Sequence, residues 1–414
     1  MTINMQEFIE AAESFKNKLD KAVSFDEILA IWRSNEFPYK MNSRDPFSSE
    51  YRNEVKEIYK NLSSLDYDTQ NELTSSKQSF EQFEIGSPWT SKNLDVISKE
   101  LAKVSQAMLA IHRLNVKYCK IIGFGSGWGN LAVPLARSGL DITIADIDQG
   151  FLDRTLRICQ RENLSIAAIQ GDFLEIASRS AIRYDVVLFQ ASFHHCFEFD
   201  NLLDLIRDNL LTDYGSILFF SEPIYKNLPF PWGLRYDGES LWAIMCNKWL
   251  ELGFQEDFFA KLMILKGFFL SKIDEISGYI GEGWSAKRGI EFLNFDDWVL
   301  PSKYDETFYS AGNLGGYGRF SKDTSSLPGL KGGNLKYYEF EIQNYGSSPL
   351  KISISGDQSE ISANVSPNET HIIKVRADCD EVTLRSDVYI PHMCFGNGDN
   401  RQLGLAIKRI RMFN

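Results

Sequence analysis

The chain has 414 residues, 43% hydrophobic and 24% charged, the composition of an ordinary globular protein with apolar material for two or three domains. Its formal net charge is -12, from 56 acidic against 44 basic side chains, and no Lys/Arg run stands out, which argues against a large nucleic-acid partner. Six scattered cysteines without a CxxC pair exclude a disulfide framework and a zinc site, and no run approaches the roughly 20 apolar residues of a membrane span. The start, "MTINMQEFIEAAESFKNKLDKAV", lacks the apolar core of a signal peptide. The expectation is a cytoplasmic chain, neither secreted nor integral to a membrane.

Residues 1–115 read as a helical region. Phe8, Ile9, Phe15 and Leu19 recur at helical spacing, and "SFDEILAIW" offers Ser24 as an N-cap with Glu27 three residues on, a capping box. A long amphipathic helix opens at Ser91 in "SKNLDVISKELAKVSQAMLAIHRL". From Lys117 to about Ile224, the apolar strands "KYCKIIGFG", "DITIADI", "SIAAIQGD", "DVVLFQAS" and "GSILFFSEP" follow, the first four each succeeded by a helical stretch. Alternation of this kind specifies a doubly wound α/β sheet, whose ligands sit at the carboxyl ends of the strands. Function is therefore sought in the residues after each strand, within a domain covering 116–325.

The first strand runs into Gly123, Gly125, Gly127 and Gly129. A dinucleotide frame G-x-G-x-x-G fails, because Trp128 and Asn130 stand where the third glycine would be. G-x-G-x-G fits a backbone lying flat against a ligand that brings no pyrophosphate. Asp146 ends the second strand, placed to accept from ribose hydroxyls, and Ile147 follows it. "GDF" after the third strand supplies Asp172 and Phe173 for an adenine amino group and ring, and Gln190 ends the fourth strand. Together these strand ends describe an adenosine site.

At these residues the sequence resembles the class I S-adenosylmethionine-dependent methyltransferases, over roughly residues 85–275. The resemblance implies a Rossmann-like fold and S-adenosylmethionine as cofactor. It also implies that the glycine loop approaches the amino-acid part, Asp146 the ribose and Asp172 the adenine. Gly123 departs from the pattern, since many members carry an acid there, and it motivates the alternative of an inactive glycan-binding or scaffold protein.

Methyl transfer to a hydroxyl requires alignment and a base. His194 and His195 follow the fourth strand, and Glu222 ends the fifth in "SEP", placed to orient a histidine or the acceptor. For His195 two readings stand, a general base or a buried hydrogen-bonded residue at a helix start; no metal site is expected from "HHC", for want of an acid cluster at ligand spacing. In "PFPWGLRYDGESLWAIMCNKWLELGF", Trp232, Arg235, Tyr236, Asp237 and Glu239 suit a polyhydroxylated acceptor. The other reading puts Trp232 in the core and the acids at a helix N-terminus. The segment is similar to ones in methyltransferases of bacterial surface-polysaccharide clusters. That implies O-methylation of a sugar hydroxyl on a surface polysaccharide or its precursor, with a lipid-like or polyketide acceptor as the alternative; a homo-oligomer or a polysaccharide-assembly partner is left open.

Beyond "FSKDTSSLPGLKGGNLK", read as a linker, the period falls to two in "KYYEFEIQN", "LKISISG", "EISANVS", "HIIKVRA", "EVTLRSD" and "LGLAIKRIRMF". The expectation for 334–414 is an antiparallel, jelly-roll-like β-sandwich, binding glycan or mediating assembly.

Overall fold

The computed structural model describes residues 5–23, 27–28, 30–31, 41, 45–73, 93–114, 119–273, 283–291, 293–309, 318–356, 359–395 and 399–414. The chain divides into two compact units, one of Met1–Thr212, Ile217–Phe258 and Ile273–Gly283, the other of Asp213–Ser216, Phe259–Lys272 and Trp284–Asn414. No helix among the described residues is long and apolar enough to cross a membrane.

The first unit opens with helices α1 (Met5–Leu19), α2 (Ser49–Ser63) and α3 (Leu94–Arg113). On α2 the buried residues Tyr51, Val55, Ile58, Tyr59 and Leu62 recur every three or four positions, and Ser48 caps the helix by accepting from the Tyr51 N–H. The first turn of α3 is capped by Asn93, whose side chain accepts from the Asp95 N–H. The expected starts at Ser24 and Ser91 both lie outside the described residues.

The alternating pattern then builds β1 (Lys120–Phe124), α4 (Ala132–Arg137), β2 (Asp141–Asp146), α5 (Gln149–Arg161), β3 (Ala167–Gln170), α6 (Phe173–Arg179), β4 (Tyr184–Gln190), α7 (Phe199–Leu205) and β5 (Leu211–Phe220). Within this unit the strands stand in the order β3-β2-β1-β4-β5, with β1 parallel to both β2 and β4. This is the Rossmann-like order, reversing direction between β1 and β4, so a crevice opens there at the carboxyl ends. Ile121, Ile142, Ile144, Val186 and Leu188 bury with Val104, Ala107 and Ile111 of α3 in one core. Each fully buried Ile or Leu contributes about 1.5–3 kcal/mol over exposure, so α3 is held by its apolar face rather than by helix propensity alone.

After β5 comes a small sheet in the order β6-β8-β7, from β6 (Ile224–Tyr225), β7 (Trp232–Leu234) and β8 (Leu252–Gln255), with helix α8 (Gly238–Trp242) between β7 and β8.

The second unit contains β9 (Leu293–Asn294), β10 (Phe308–Tyr309), β11 (Arg319–Ser321), β12 (Thr324–Pro328), β13 (Tyr337–Gln343), β14 (Leu350–Gly356), β15 (Ser359–Val365), β16 (Thr370–Arg376), β17 (Glu381–Ser386) and β18 (Ala406–Phe413). One antiparallel sheet runs β10-β11-β18-β13-β16, with β9 also on β18, and a second runs β12-β17-β14-β15. Tyr338, Phe340 and Ile342 from the first sheet share a buried core with Ile352, Ile354, Val382 and Leu384 from the second. The expected linker is corrected: β11 ends and β12 lies inside "FSKDTSSLPGLKGGNLK", and all five β12 residues pair with β17. Pro328 is compatible with this because it ends a strand at a sheet edge, where a missing N–H costs no ladder bond.

Candidate active site

Past Phe124 the chain reverses at Gly125, Gly127 and Gly129, whose φ values are +61°, +45° and +70°. The Gly125 N–H donates to the Ala145 carbonyl at 2.8 Å, and the Gly129 N–H to the Ser126 carbonyl at 2.9 Å. Asp146 clamps this loop from β2: its Oδ2 accepts from the Gly127 N–H and its Oδ1 from the Asp148 N–H, each at 2.9 Å. Burial raises the carboxyl's pKa, and the two backbone donors pull against that rise.

A cavity of about 430 Å³ lies against the loop, lined by Gly125, Gly127, Asp146, Ile147, Asp172, Phe173 and Gln190 among others. Seven of the eight residues expected to meet a cofactor thus share one surface. Gly123, the eighth, does not line that cavity; it sits within β1 between Ile144 and Leu188. Its expected role is corrected, because Gly123 is still flanked by β2 and β4 in the sheet, and the exposed turn begins only past Phe124.

Several buried polar atoms on the cavity wall have no hydrogen-bond partner among the described residues: Ser126 Oγ, Asn130 Oδ1 and Ser221 Oγ. An unsatisfied buried polar atom costs about 1–3 kcal/mol, so these are groups built to meet a polar ligand. Lys103 and Glu100 of α3 line the same cavity and pair at 2.8 Å, a charge pair matched to an amino acid's ammonium and carboxylate. Ala191 and Ser221, after β4 and β5, line it with φ of 48° and 54°. Strained non-glycine residues of this kind cost on the order of 1–3 kcal/mol each and gather at functional sites. Glycine loop, orphaned hydroxyls and zwitterion-matching pair together fit S-adenosylmethionine.

His194 and Glu222 are buried together, with His194 Nδ1 2.8 Å from Glu222 Oε2. Glu222 also accepts the backbone N–H groups of Ser192 at 2.8 Å, Phe193 at 2.9 Å and His194 at 3.2 Å. The other His194 nitrogen, Nε2, lies 3.5 Å from Glu251 Oε2. Burial alone would lower the His194 pKa, but Glu222 and Glu251 override it and push it up to about 9. The His194 ring is thus held between two carboxylates, which favour its charged form. Neither it nor Glu222 lines the cavity, and both are corrected from catalytic to structural, because each is consumed by the pairing.

His195 does line the cavity, half-buried, its Nδ1 3.2 Å from Glu72 Oε2 and its ring edge-on to Trp249 at 6.3 Å. Possible metal-ligand atoms of His194, His195 and Glu251 fall within 4.8 Å of one another. These groups already have partners: His194 faces Glu222 and Glu251 through its two ring nitrogens, and Glu251 is also ion-paired with Arg235.

The expected acceptor residues are elsewhere. None of Trp232, Arg235, Tyr236, Asp237 and Glu239 is on the cavity wall. Trp232 is fully buried, donating from Nε1 to the Pro46 carbonyl at 2.8 Å and packing on Tyr51 and Phe199. Arg235 pairs with Glu251, Tyr236 packs against Phe8 and Phe230, and Asp237 caps α8 by accepting from the Ser240 N–H at 3.0 Å. Burial raises the Glu239 pKa, with Arg235 opposing. From that segment Trp249 does reach the wall, beside Tyr67, Thr69, Glu72, Phe197 and Glu198, which no sequence motif marked.

Residues 121–211 match the family model described as a methyltransferase domain. The chain thus carries a methyltransferase domain over these residues. Solved structures similar to parts of the chain include the magnesium protoporphyrin IX methyltransferase of Synechocystis PCC 6803 with bound SAH. That match has 15% identity and a TM-score of 0.36, over 48% of this chain and 89% of that one. The CcbJ methyltransferase of Streptomyces caelestis is 14% identical with a TM-score of 0.37, over 54% of this chain and 99% of that one. The 1,6-didemethyltoxoflavin-N1-methyltransferase of Burkholderia thailandensis is 18% identical with a TM-score of 0.35, over 47% and 81%. No curated protein sequence matches the chain.

Proposed function

We propose that the enzyme methylates a hydroxyl group on a small ring-bearing acceptor, with His195 as general base. The carrying observation is that His195, alone of the two adjacent histidines, lines the cavity shared by the glycine loop, Asp146 and Asp172, whereas His194 is sequestered. Asp146 would take the ribose, Asp172 and Phe173 the adenine, and Lys103 with Glu100 the amino-acid end. S-adenosylmethionine supplies a methyl carbon that is already electrophilic on its sulfonium, so the protein's task reduces to alignment and removal of one proton. The acceptor's hydroxyl proton passes to the His195 ring as the oxygen becomes nucleophilic.

Tyr67, Phe197 and Trp249 offer stacking faces, and Thr69 and Glu198 offer polar contacts beside them. That combination suits a sugar or another hydroxylated ring, and the carbohydrate reading rests on these residues rather than on Trp232 and its neighbours. An aromatic polyketide-like acceptor is the second reading, favoured by Trp128 and Phe151 on the same wall. All six cysteines are free thiols, which supports a reducing cytoplasm as the place of reaction. The test is single-turnover transfer of labelled methyl to panels of sugars and phenols. With the acceptor so found, His195→Ala should lose about 10²–10⁴ in rate with S-adenosylhomocysteine affinity nearly intact. Wild-type turnover in that variant overturns the base assignment.

A further inference from the structure

We propose that Glu72 is the positioning residue of His195, fixing which ring nitrogen carries the hydrogen and thereby leaving Nε2 to receive the acceptor's proton; this rests on His195 being the base. Glu72 closes a short 3-10 turn, Thr69–Glu72, that Asp68 caps by accepting from the Gln70 N–H at 2.8 Å. Its two carboxylate oxygens have separate tasks. Oε1 accepts from the Leu250 N–H at 2.8 Å, which pins the side chain, and Oε2 then stands 3.2 Å from His195 Nδ1. A carboxylate is an acceptor only, so it favours the tautomer with hydrogen on Nδ1.

The surroundings hold both partners in place. Tyr67 donates from its hydroxyl to the His195 carbonyl at 3.2 Å, fixing the backbone under the ring. Asn71 donates to the Tyr59 hydroxyl at 3.2 Å and to the Asp66 carbonyl at 3.1 Å, and Tyr59 in turn donates to the Lys248 carbonyl at 2.5 Å. The turn bearing Glu72 is therefore tied to the Lys248–Leu250 segment at two points, on either side of Trp249, whose ring stands against His195. Among the described residues Nδ1 has no other partner: it is buried and makes no hydrogen bond, and the approach to Glu72 is not yet aligned as one. Contacts of this kind tighten when the full complex forms. Glu222 and Glu251 are engaged with His194, and Glu251 also with Arg235.

The consequence is that the helical region ahead of the methyltransferase domain supplies half of the catalytic pair, although residues 121–211 alone match the family. The experiment is ¹⁵N NMR of the full chain labelled at the histidine rings, with S-adenosylhomocysteine bound and His195→Ala used to assign the signal. The wild type should show His195 with hydrogen on Nδ1 and a bare Nε2. Glu72→Gln should convert this to a mixture of the two tautomers, Glu72→Asp should keep mostly the Nδ1–H form, and both should bind S-adenosylhomocysteine within about twofold of wild type. Wild-type His195 with hydrogen on Nε2 overturns the proposal whether or not any variant folds, and so does an unchanged tautomer in Glu72→Gln. Those results leave the His195 base assignment to its own test, the turnover of His195→Ala.

Discussion

Gly125→Ala places a methyl group where the structure has no room and where the backbone resists it. The new Cβ would lie 2.5 Å from Ser192 Cβ, 3.2 Å from its Oγ and 3.5 Å from Phe173 Cζ, at a φ of +61°. Ser192 cannot retreat cheaply, because its N–H donates to Glu222 Oε1 at 2.8 Å and its Oγ to the Phe124 carbonyl at 2.9 Å. The left-handed conformation costs an alanine about 1–2 kcal/mol, and overpacking adds about 1–3 kcal/mol. The total is roughly 2–5 kcal/mol, before any loss of cofactor contact. Gly123→Ala is the internal control: its Cβ would meet only Leu188 Cδ2, at 3.9 Å, in ordinary van der Waals contact. Urea unfolding followed by tryptophan fluorescence should show Gly125→Ala destabilised by that amount and Gly123→Ala within about 1 kcal/mol of wild type. Calorimetry should show S-adenosylhomocysteine affinity falling at least tenfold in the first variant and little in the second. Equal behaviour of the two would refute the reasoning that Gly125, and not Gly123, shapes the cavity.

Stability should also depend on pH through His194. Its folded pKa of about 9 lies above the ordinary 6.5, so its contribution is complete below pH 6.5 and is lost as pH rises through 9. Glu222 has the opposite sign: burial opposes its charge, but His194 holds its pKa below 4.5, so its share is present above that and fades as pH falls further. Urea midpoints should therefore drop between pH 6.5 and 9 in the wild type, and His194→Gln should be flat across that window; parallel slopes would show that the imidazolium pairing contributes nothing. Cutting the chain near Gly332 should leave neither fragment of the second unit folded, because β12 would be severed from its partner β17. Soluble, proteolysis-resistant fragments would instead make residues 320–336 a true linker.

The cofactor side of the site was legible because its information is local. Each strand of a doubly wound sheet ends at the crevice, so Gly125, Gly127, Asp146, Asp172 and Gln190 could be read in chain order from apolar runs and the residues after them. Gly123 was included by proximity to the motif, and only the register of β1 between β2 and β4 shows it to be strand interior. The acceptor side is not local. Glu72, Tyr67 and Trp249 come from polar or aromatic stretches with no periodic signal, and meet His195 only through tertiary packing. Of the two readings left open for this segment, the structure takes the core and helix-cap one for Trp232 and Asp237; sequence could not choose, because an aromatic next to charges looks the same whether it lines a cleft or closes a core. The ion pair with Glu251 and the packing against Tyr51 decide it. β12 was hidden in a Ser/Gly/Pro-rich stretch because an edge strand tolerates such residues.

Titration of S-adenosylmethionine into the wild type and Asp146→Ala by isothermal calorimetry tests most directly that this cavity holds the cofactor. Asp146 joins the clamp on the Gly127 N–H to the expected ribose contact, so the variant loses an acceptor on both sides. The account predicts one site per chain in the wild type and a loss of about 1–3 kcal/mol in the variant. Undiminished binding by Asp146→Ala, or no binding by the wild type, would contradict it.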